Sequence, residues 1–173
     1  PEATLILPKQ KADNLTVAVA DAGVVITELT GRKPGCVSLV GIGPGAQEWR
    51  TPEASRLIAQ AGVLIGYRLY LDLLGPLVNG KEVREFALGE EELRCRVALE
   101  EAAKGQNVAL ICSGDAGIYA MGALVFELLD RGNEAGGVSV AARRVQVITA
   151  PGISAMQAAA ARSGALLGHD FCC

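Results

Sequence analysis

Short apolar runs alternate with segments of helical periodicity from residue 36 to residue 163. Most of the runs are apolar throughout, which is typical of strands buried on both faces of a parallel sheet. The segments between them repeat apolar residues with the period of a helix. The pattern therefore predicts an α/β domain, with a five-stranded parallel sheet and helices on both faces. The predicted strands are 37–42, 63–65, 82–86, 108–112 and 145–149, and the predicted helices are 51–61, 68–74, 90–104, 118–131 and 154–163.

The first 35 residues follow a different pattern. Apolar stretches at 4–7, 15–20 and 23–29 predict a hairpin or strand remnants, and a Gly- and Pro-containing basic segment at 31–35 predicts a linker. We therefore expect an N-terminal extension with a linker over 1–35. We expect the main domain over 36–165, and the start of an interdomain connection over 166–173.

Composition and charge exclude several classes of function. Half of the residues are apolar, so general disorder is not expected. The formal net charge is −3, so non-specific binding to nucleic-acid phosphates is not expected either. No apolar run approaches the ~18 residues of a membrane helix. The five cysteines include no C-x-x-C pair, and His169 is the only histidine, so neither a disulfide framework nor a metal site is predicted. We expect packed thiols at Cys36, Cys95 and Cys112, and a cytoplasmic protein.

Three of the predicted strands end in glycine-rich loops that lead into helices, at 41–45, 113–117 and 151–155. The carboxyl ends of parallel strands share one edge of the sheet, where open α/β sheets bind ligands. The glycines allow close approach of a ligand, although each of them could also serve only a tight turn. Three such loops on one edge predict a binding site.

The first loop also fits the dinucleotide pattern G-x-G-x-x-A, but two features disfavour that ligand. Pro44 removes a backbone N–H donor, and the second strand ends at Gly66-Tyr67 without an acid for a ribose. A P-loop is excluded because no Gly-Lys-Ser/Thr follows the glycines.

None of the three loops contains Lys or Arg, and one contains Asp115. Such an edge favours a ligand other than a polyphosphate, and S-adenosylmethionine, with its positive sulfonium, qualifies.

Several motifs resemble those of the tetrapyrrole methylases, the class III S-adenosylmethionine-dependent methyltransferases. They are VGIGPG at 40–45 followed by TPEA at 51–54, SGDAGIYAM at 113–121 and PGISA at 151–155. Within the family, IGY at 65–67 and GALLGHDF at 164–171 look most like the precorrin-3B C17-methyltransferases of cobalamin biosynthesis. Residues 1–20, with LPKQK at 7–11, are similar to the tail of a cobalt-precorrin-5A hydrolase, which implies a fusion.

The resemblance implies a two-domain enzyme with the methyl donor in the cleft between the domains. This sequence stops where the second domain should begin, so we expect the chain alone to be inactive. The resemblance also implies S-adenosylmethionine as cofactor, a tetrapyrrole substrate and a homodimer. No side chain is assigned a catalytic role. The residues that match the family's donor contacts are Gly43, Pro44, Ser113, Gly114, Asp115, Ile118, Ser154 and Ala155.

The implied reaction is methylation of C17 of precorrin-3B with ring contraction to precorrin-4. Methyl transfer from a sulfonium needs mainly orientation and exclusion of water. Some alternatives stay open at this point. Asp115 and Ser154 could cap the helices that follow them, and Tyr67, Tyr119 and His169 could be structural. A non-catalytic nucleotide- or dinucleotide-binding module is the rival function.

Overall fold

The computed structural model describes residues 33–132, 135–165 and 167–168. Strands and helices alternate along this part of the chain, as the sequence pattern predicts. The strands are β1 (Cys36–Gly41), β2 (Val63–Tyr67), β3 (Glu82–Phe86), β4 (Asn107–Cys112) and β5 (Gln146–Ala150). The helices are α1 (Pro52–Gln60), α2 (Arg68–Asp72), α3 (Glu91–Ala103), α4 (Gly122–Asp130) and α5 (Ala155–Ser163).

Within the described residues, the five strands form one sheet in the order β3-β2-β4-β1-β5. Every neighbouring pair is parallel, with Val37 opposite Val108 and Leu39 opposite Leu110 in the centre of the sheet. The predicted parallel sheet is therefore confirmed. The strands β2 and β3 lie on one side of β1, β4 returns to the place between β2 and β1, and β5 lies on the other side of β1.

Alternate residues of the strands enter two separate apolar layers. Leu39 and Leu110 belong to the layer formed with α3 and α4, whereas Val40 and Ile111 belong to the layer formed with α1 and α2. All four side chains are fully buried. Burial of a side chain of this size contributes about 1.5–3 kcal/mol. Helices on both faces explain why the strand sequences are apolar throughout, so this prediction is also confirmed.

Local capping signals determine several helix ends. Thr51 accepts a hydrogen bond from the Ala54 N–H at 3.1 Å, and Pro52 occupies the first helical position of α1. Gly164 ends α5 in the left-handed conformation, with φ of 73°. These ends lie within one residue of their predicted positions.

The predicted start of the fourth helix is wrong. It was expected at residue 118, but α4 begins at Gly122, whose N–H donates to the carbonyl of Ala116 at 2.9 Å. The intervening residues form turns, and Tyr119 adopts a positive φ of 49°. The apolar residues of this loop extend the helical period of α4, although their backbone is not helical. Asp115 consequently does not cap this helix, contrary to one of the two interpretations considered above.

Several predicted features lie outside the described residues. These include the apolar stretches at 4–7, 15–20 and 23–29, residue His169 and the two C-terminal cysteines. The domain boundaries and the fusion therefore stay predictions. In the part of the chain that the structure covers, no helix is both long enough and apolar enough to span a membrane.

Candidate functional site

The three glycine-rich loops lie next to one another at the carboxyl edge of the sheet. Each follows one of the strands β4, β1 and β5, which are neighbours in the sheet. The topology therefore brings together segments that are more than thirty residues apart along the chain. The sequence predicts this convergence, and the contacts described next show how it is maintained.

Backbone hydrogen bonds join the first loop to the second. The N–H of Gly43 donates to the carbonyl of Gly114 at 3.1 Å, and the N–H of Gly114 donates to the carbonyl of Gly43 at 2.9 Å. The two backbones can approach because glycine has no side chain. A Cβ at Gly41 would lie 2.5 Å from the Gly114 carbonyl oxygen, which is well inside van der Waals contact. Gly41 is therefore required for packing between the loops.

The carboxylate of Asp115 joins the second loop to the third. Its Oδ1 accepts a hydrogen bond from the N–H of Gly117 at 2.7 Å, within its own loop. Its Oδ2 accepts one from the N–H of Gly152 at 2.8 Å, in the loop after β5. Hydrogen bonds to a charged group are worth about 1.5–3 kcal/mol each. Asp115 is therefore a structural link between two loops of the site.

Ser154 caps the helix that follows the third loop. Its hydroxyl accepts from the N–H of Gln157 at 3.2 Å, and the Gln157 side chain accepts from the N–H of Ser154 at 2.9 Å. This reciprocal capping box uses the hydroxyl oxygen locally. The capping interpretation of Ser154 is confirmed.

A cavity of about 480 Å³ opens beside the second and third loops. This volume lies within the range of small-molecule binding pockets. Six of the eight residues predicted to contact a donor line the cavity, namely Ser113, Gly114, Asp115, Ile118, Ser154 and Ala155.

The other two predicted contact residues, Gly43 and Pro44, do not line this cavity. Gly43 is buried against Gly114 and Trp49, and Pro44 is exposed. A role for these two residues toward a ligand stays a prediction.

Two tyrosines form another part of the cavity wall. The rings of Tyr67 and Tyr70 meet edge to face, with their centroids 5.3 Å apart and their planes at 81°. Tyr67 is the last residue of β2, so its position at the carboxyl edge follows from the strand pattern. Tyr70 follows one turn later on α2. Edge-to-face packing orients both rings and provides apolar surface at the cavity.

The cavity is also lined by a residue in an unfavourable backbone conformation. Tyr119 has a φ of 49°, and its side chain is 97% exposed. A non-glycine residue in this region costs about 1–2 kcal/mol. The ring of Tyr119 is nevertheless almost fully accessible beside Ile118, so packing against the protein does not explain its position.

The arginine that lines the cavity was not found from the sequence. Arg94 lies in the first turns of α3, is only 2% exposed and lines the cavity. The three glycine-rich loops contain no Lys or Arg, but the cavity beside them is lined by this arginine. An arginine three residues after Glu91 in a helix is typical of an exposed ion pair, so no local signal distinguishes this one.

Of the cysteines that the structure describes, Cys95 and Cys112 are buried and Cys36 is half-buried. Burial raises the pKa of Cys95 and of the cavity residue Cys112 to about 12, and it raises the pKa of the half-buried Cys36. A thiol at neutral pH is therefore protonated at all three positions, and the prediction of packed thiols is confirmed. Among the described residues, no three His, Cys, Asp or Glu side chains are grouped as they would be to hold a metal ion.

The family model of the tetrapyrrole (corrin/porphyrin) methylases matches residues 37–173. The chain belongs to this family. As a tetrapyrrole methylase, it is 43% identical over 136 residues to a probable cobalt-factor III C(17)-methyltransferase of Salmonella typhimurium. It is 40% identical over 139 residues to a precorrin-3B C(17)-methyltransferase of a Sinorhizobium species. These alignments cover 79% and 80% of this methylase chain, and 53% and 52% of the two relatives. The chain thus spans about half the length of the curated relatives it matches.

Solved structures of the family share this fold. The methyltransferase CobJ superposes with a TM-score of 0.67 at 39% identity, covering 80% of this methylase chain and 54% of that one. A uroporphyrin-III C-methyltransferase of Thermus thermophilus, complexed with S-adenosylhomocysteine, superposes with a TM-score of 0.53 at 26% identity. That match covers 72% of this chain and 48% of the other. Tetrapyrrole methylases use S-adenosylmethionine.

Proposed function

We propose that this chain forms the donor-binding half of an S-adenosylmethionine-dependent methyltransferase of cobalamin biosynthesis. The proposed reaction is C17 methylation of precorrin-3B, with contraction of the macrocycle to precorrin-4. The names of the two curated relatives support this substrate class, since one acts on cobalt-factor III and the other on precorrin-3B. A cytoplasmic homodimer, with a second domain after the interdomain connection that starts at residue 166, completes the proposal.

The observation that carries the proposal is the position of the cavity. It lies at the carboxyl edge of a parallel sheet. Hydrogen bonds of Gly43, Gly114 and Asp115 connect the three glycine-rich loops at this edge. This is the edge at which open α/β sheets bind small molecules. The family membership then identifies the class of small molecule.

The residues of the cavity fit the methyl donor. Its volume of about 480 Å³ suits a nucleoside with an amino-acid substituent. Ile118 and the rings of Tyr67 and Tyr70 offer apolar surface for a flat base, and the backbone around Gly114 leaves no side chain in the way. Arg94 supplies a positive charge for an anionic group of the ligand.

S-adenosylmethionine, when bound, supplies an activated methyl group on a sulfonium. The protein then has to bind, align and dehydrate the two reactants, and alignment alone can contribute roughly 7–11 kcal/mol. The hydrogen bonds of Asp115 fix two loops relative to each other. The rings of Tyr67 and Tyr70 offer apolar surface on one side of the cavity. No nucleophilic side chain is needed for this chemistry.

A direct test incubates the whole protein with precorrin-3B and methyl-labelled S-adenosylmethionine, and follows the tetrapyrrole by mass spectrometry. The expected result is a product that carries one labelled methyl group at C17. A parallel reaction with cobalt-factor III distinguishes the metal-free from the cobalt-containing substrate. Labelling of neither tetrapyrrole, under conditions in which an established relative labels its own substrate, would contradict the proposal.

Calorimetry of the same protein tests the rival binding-module function. We expect S-adenosylhomocysteine to bind and NAD not to bind. Tight binding of NAD without binding of S-adenosylhomocysteine would favour a dinucleotide-binding module instead.

A further inference from the structure

The side chain of Arg94 is buried, and one of its guanidinium nitrogens, Nε, has no hydrogen-bond partner among the described residues. Nη2 donates to the carbonyl oxygen of Ala87 and to Oε1 of Glu91, both at 3.3 Å. Nε is also buried, and no hydrogen-bond partner for it exists among the described residues. Leaving a buried donor unpaired is costly, and more so for a charged group. The folded structure therefore retains a cationic donor at the cavity that it does not itself satisfy.

The unpaired atom lies on the edge of the guanidinium that binds carboxylates. Nε and Nη2 together form a planar fork that matches two carboxylate oxygens. In this structure only Nη2 contacts an acid. Its distance of 3.3 Å to Oε1 of Glu91 is longer than that of a strong charge-assisted hydrogen bond. The fork is thus only partly occupied, and Nε is covered in this structure, so a further carboxylate needs the side chain of Glu91 to move away first.

The acid that contacts Arg94 is exchangeable. The side chain of Glu91 is 42% exposed, whereas that of Arg94 is 2% exposed. An exposed carboxylate can turn toward water at little cost, because solvent replaces its partner. Arg94 cannot, since its side chain is buried. Burial raises the pKa of Cys112 at the end of β4, and the nearby positive charge of Arg94 acts in the opposite direction with a smaller effect.

We propose that Arg94 receives a carboxylate of the bound ligand through its Nε–Nη2 edge, with Glu91 releasing that edge to solvent. This proposal rests on the proposed function, because it deepens the account of the same cavity. Two carboxylates are available to such a site. One is the amino-acid carboxylate of the methyl donor, and the other is an acidic side chain of the tetrapyrrole.

The test measures binding of three probes to the whole protein and to the variant Arg94→Met. The probes are S-adenosylhomocysteine, its decarboxylated analogue and uroporphyrin III, a tetrapyrrole with carboxylate side chains. If the donor carboxylate binds Arg94, the variant loses about ten- to hundredfold in affinity for S-adenosylhomocysteine and little for the analogue. If the tetrapyrrole carboxylate binds there, the same loss appears only for uroporphyrin III. Either selective loss supports the proposal.

Two further variants separate ligand binding from a structural role. Arg96→Met removes another arginine of α3, which pairs with Glu92 and does not line the cavity, so it should leave all three affinities unchanged. Glu91→Gln removes the competing carboxylate and should raise the affinity for the same probe severalfold. Thermal melts show whether each variant is folded at the assay temperature.

Three results would overturn the proposal. The first is a folded Arg94→Met protein with all three affinities unchanged. The second is an equal loss of affinity for S-adenosylhomocysteine and its decarboxylated analogue, with no change for uroporphyrin III. The third is a loss in Glu91→Gln equal to that in Arg94→Met, because a structural ion pair would behave in this way. If Arg94→Met does not fold, Arg94→Lys and Glu91→Gln decide, since Lys keeps the charge without the fork and should show the selective loss.

Failure of the proposed function gives a different pattern. In that case the unmodified protein itself binds neither S-adenosylhomocysteine nor uroporphyrin III. The inference about Arg94 would then fall together with the proposed function.

Discussion

The carboxylate of Asp115 and the N–H of Gly152 lie 2.8 Å apart, although 37 residues separate them in the chain. This hydrogen bond connects the loop after β4 to the loop after β5, and β1 lies between these two strands in the sheet. The other carboxylate oxygen bonds Gly117. One side chain therefore determines the relative position of two walls of the cavity.

Replacing this carboxylate tests the link. Asp115→Asn has only one oxygen for two N–H donors, and its amide would face the second donor. We expect the free energy of unfolding to fall by about 1–3 kcal/mol, and the affinity for S-adenosylhomocysteine to fall with it. Urea denaturation and calorimetry measure the two effects. Asp130→Asn, at the exposed end of α4, is the matched control and should stay within about 0.5 kcal/mol. Equal effects of the two substitutions would contradict the role given to Asp115.

Close packing of the loop backbones makes a second prediction. Gly41→Ala places a Cβ against the Gly114 carbonyl, so the loops must separate. We expect a loss of about 1–3 kcal/mol in the free energy of unfolding. The control is Gly62→Ala, where the nearest atom to the new Cβ is Oε1 of Gln106 at 3.8 Å. That change should be neutral or slightly stabilising. A stable Gly41→Ala protein would show that the loops tolerate more space between them.

The backbone of Tyr119 makes a third prediction, in which stability and binding change in opposite directions. Tyr119→Gly relieves the positive φ, and it removes a side chain that is 97% exposed. We expect the free energy of unfolding to stay constant or to rise by about 1 kcal/mol. Loss of the ring from the cavity wall should lower the affinity for S-adenosylhomocysteine by about five- to hundredfold, as loss of a stacking aromatic does.

Tyr119→Phe is the control, because it keeps the ring and removes only the hydroxyl. It should bind nearly as the unmodified protein does. If the glycine variant binds equally well, the ring does not contact the ligand.

The buried thiols make a prediction about pH. The pKa of Cys95 and Cys112 is about 12 in the folded protein, against an ordinary value of 9.0 that applies once the chain unfolds. A raised pKa stabilises the fold fully below pH 9, and this contribution is lost as the pH rises from about 9 toward 12. Denaturation measured across this range should show falling stability, and Cys95→Ala should make the decline less steep. An unchanged slope in Cys95→Ala would contradict the assignment.

The same burial predicts the order in which the thiols react. In the folded protein, iodoacetamide at pH 8 should modify the half-buried Cys36 before Cys95 and Cys112. Mass spectrometry of the digested protein identifies each modified residue. In denaturant, all three should react at similar rates.

Much of this fold could be predicted because its signals are local or periodic. Apolar runs such as 108–112 indicate strands buried on both faces, and Thr51-Pro52 indicates the start of a helix. The convergence of the glycine loops followed from the rule that parallel strands share a carboxyl edge. Ser113, Asp115 and Ala155 were thus predicted to lie at one site, and the structure places them around one cavity.

Other features could not be found in this way, because they depend on contacts between distant segments. The apolar loop before Gly122 continues the helical period, so periodicity alone places the start of α4 too early. Arg94 has the spacing of an ordinary surface ion pair with Glu91, and only the packing of α3 against the sheet buries it.

The amino-acid sequence determines the order of strands and helices, the family and the edge of the sheet at which the glycine loops meet, because periodicity, caps and motifs are properties of neighbouring residues. The tertiary structure decides which polar groups are shared between loops and which charge is buried. Asp115 links two loops, and Arg94 is a buried cation, only because segments far apart in the chain exclude water from the space between them.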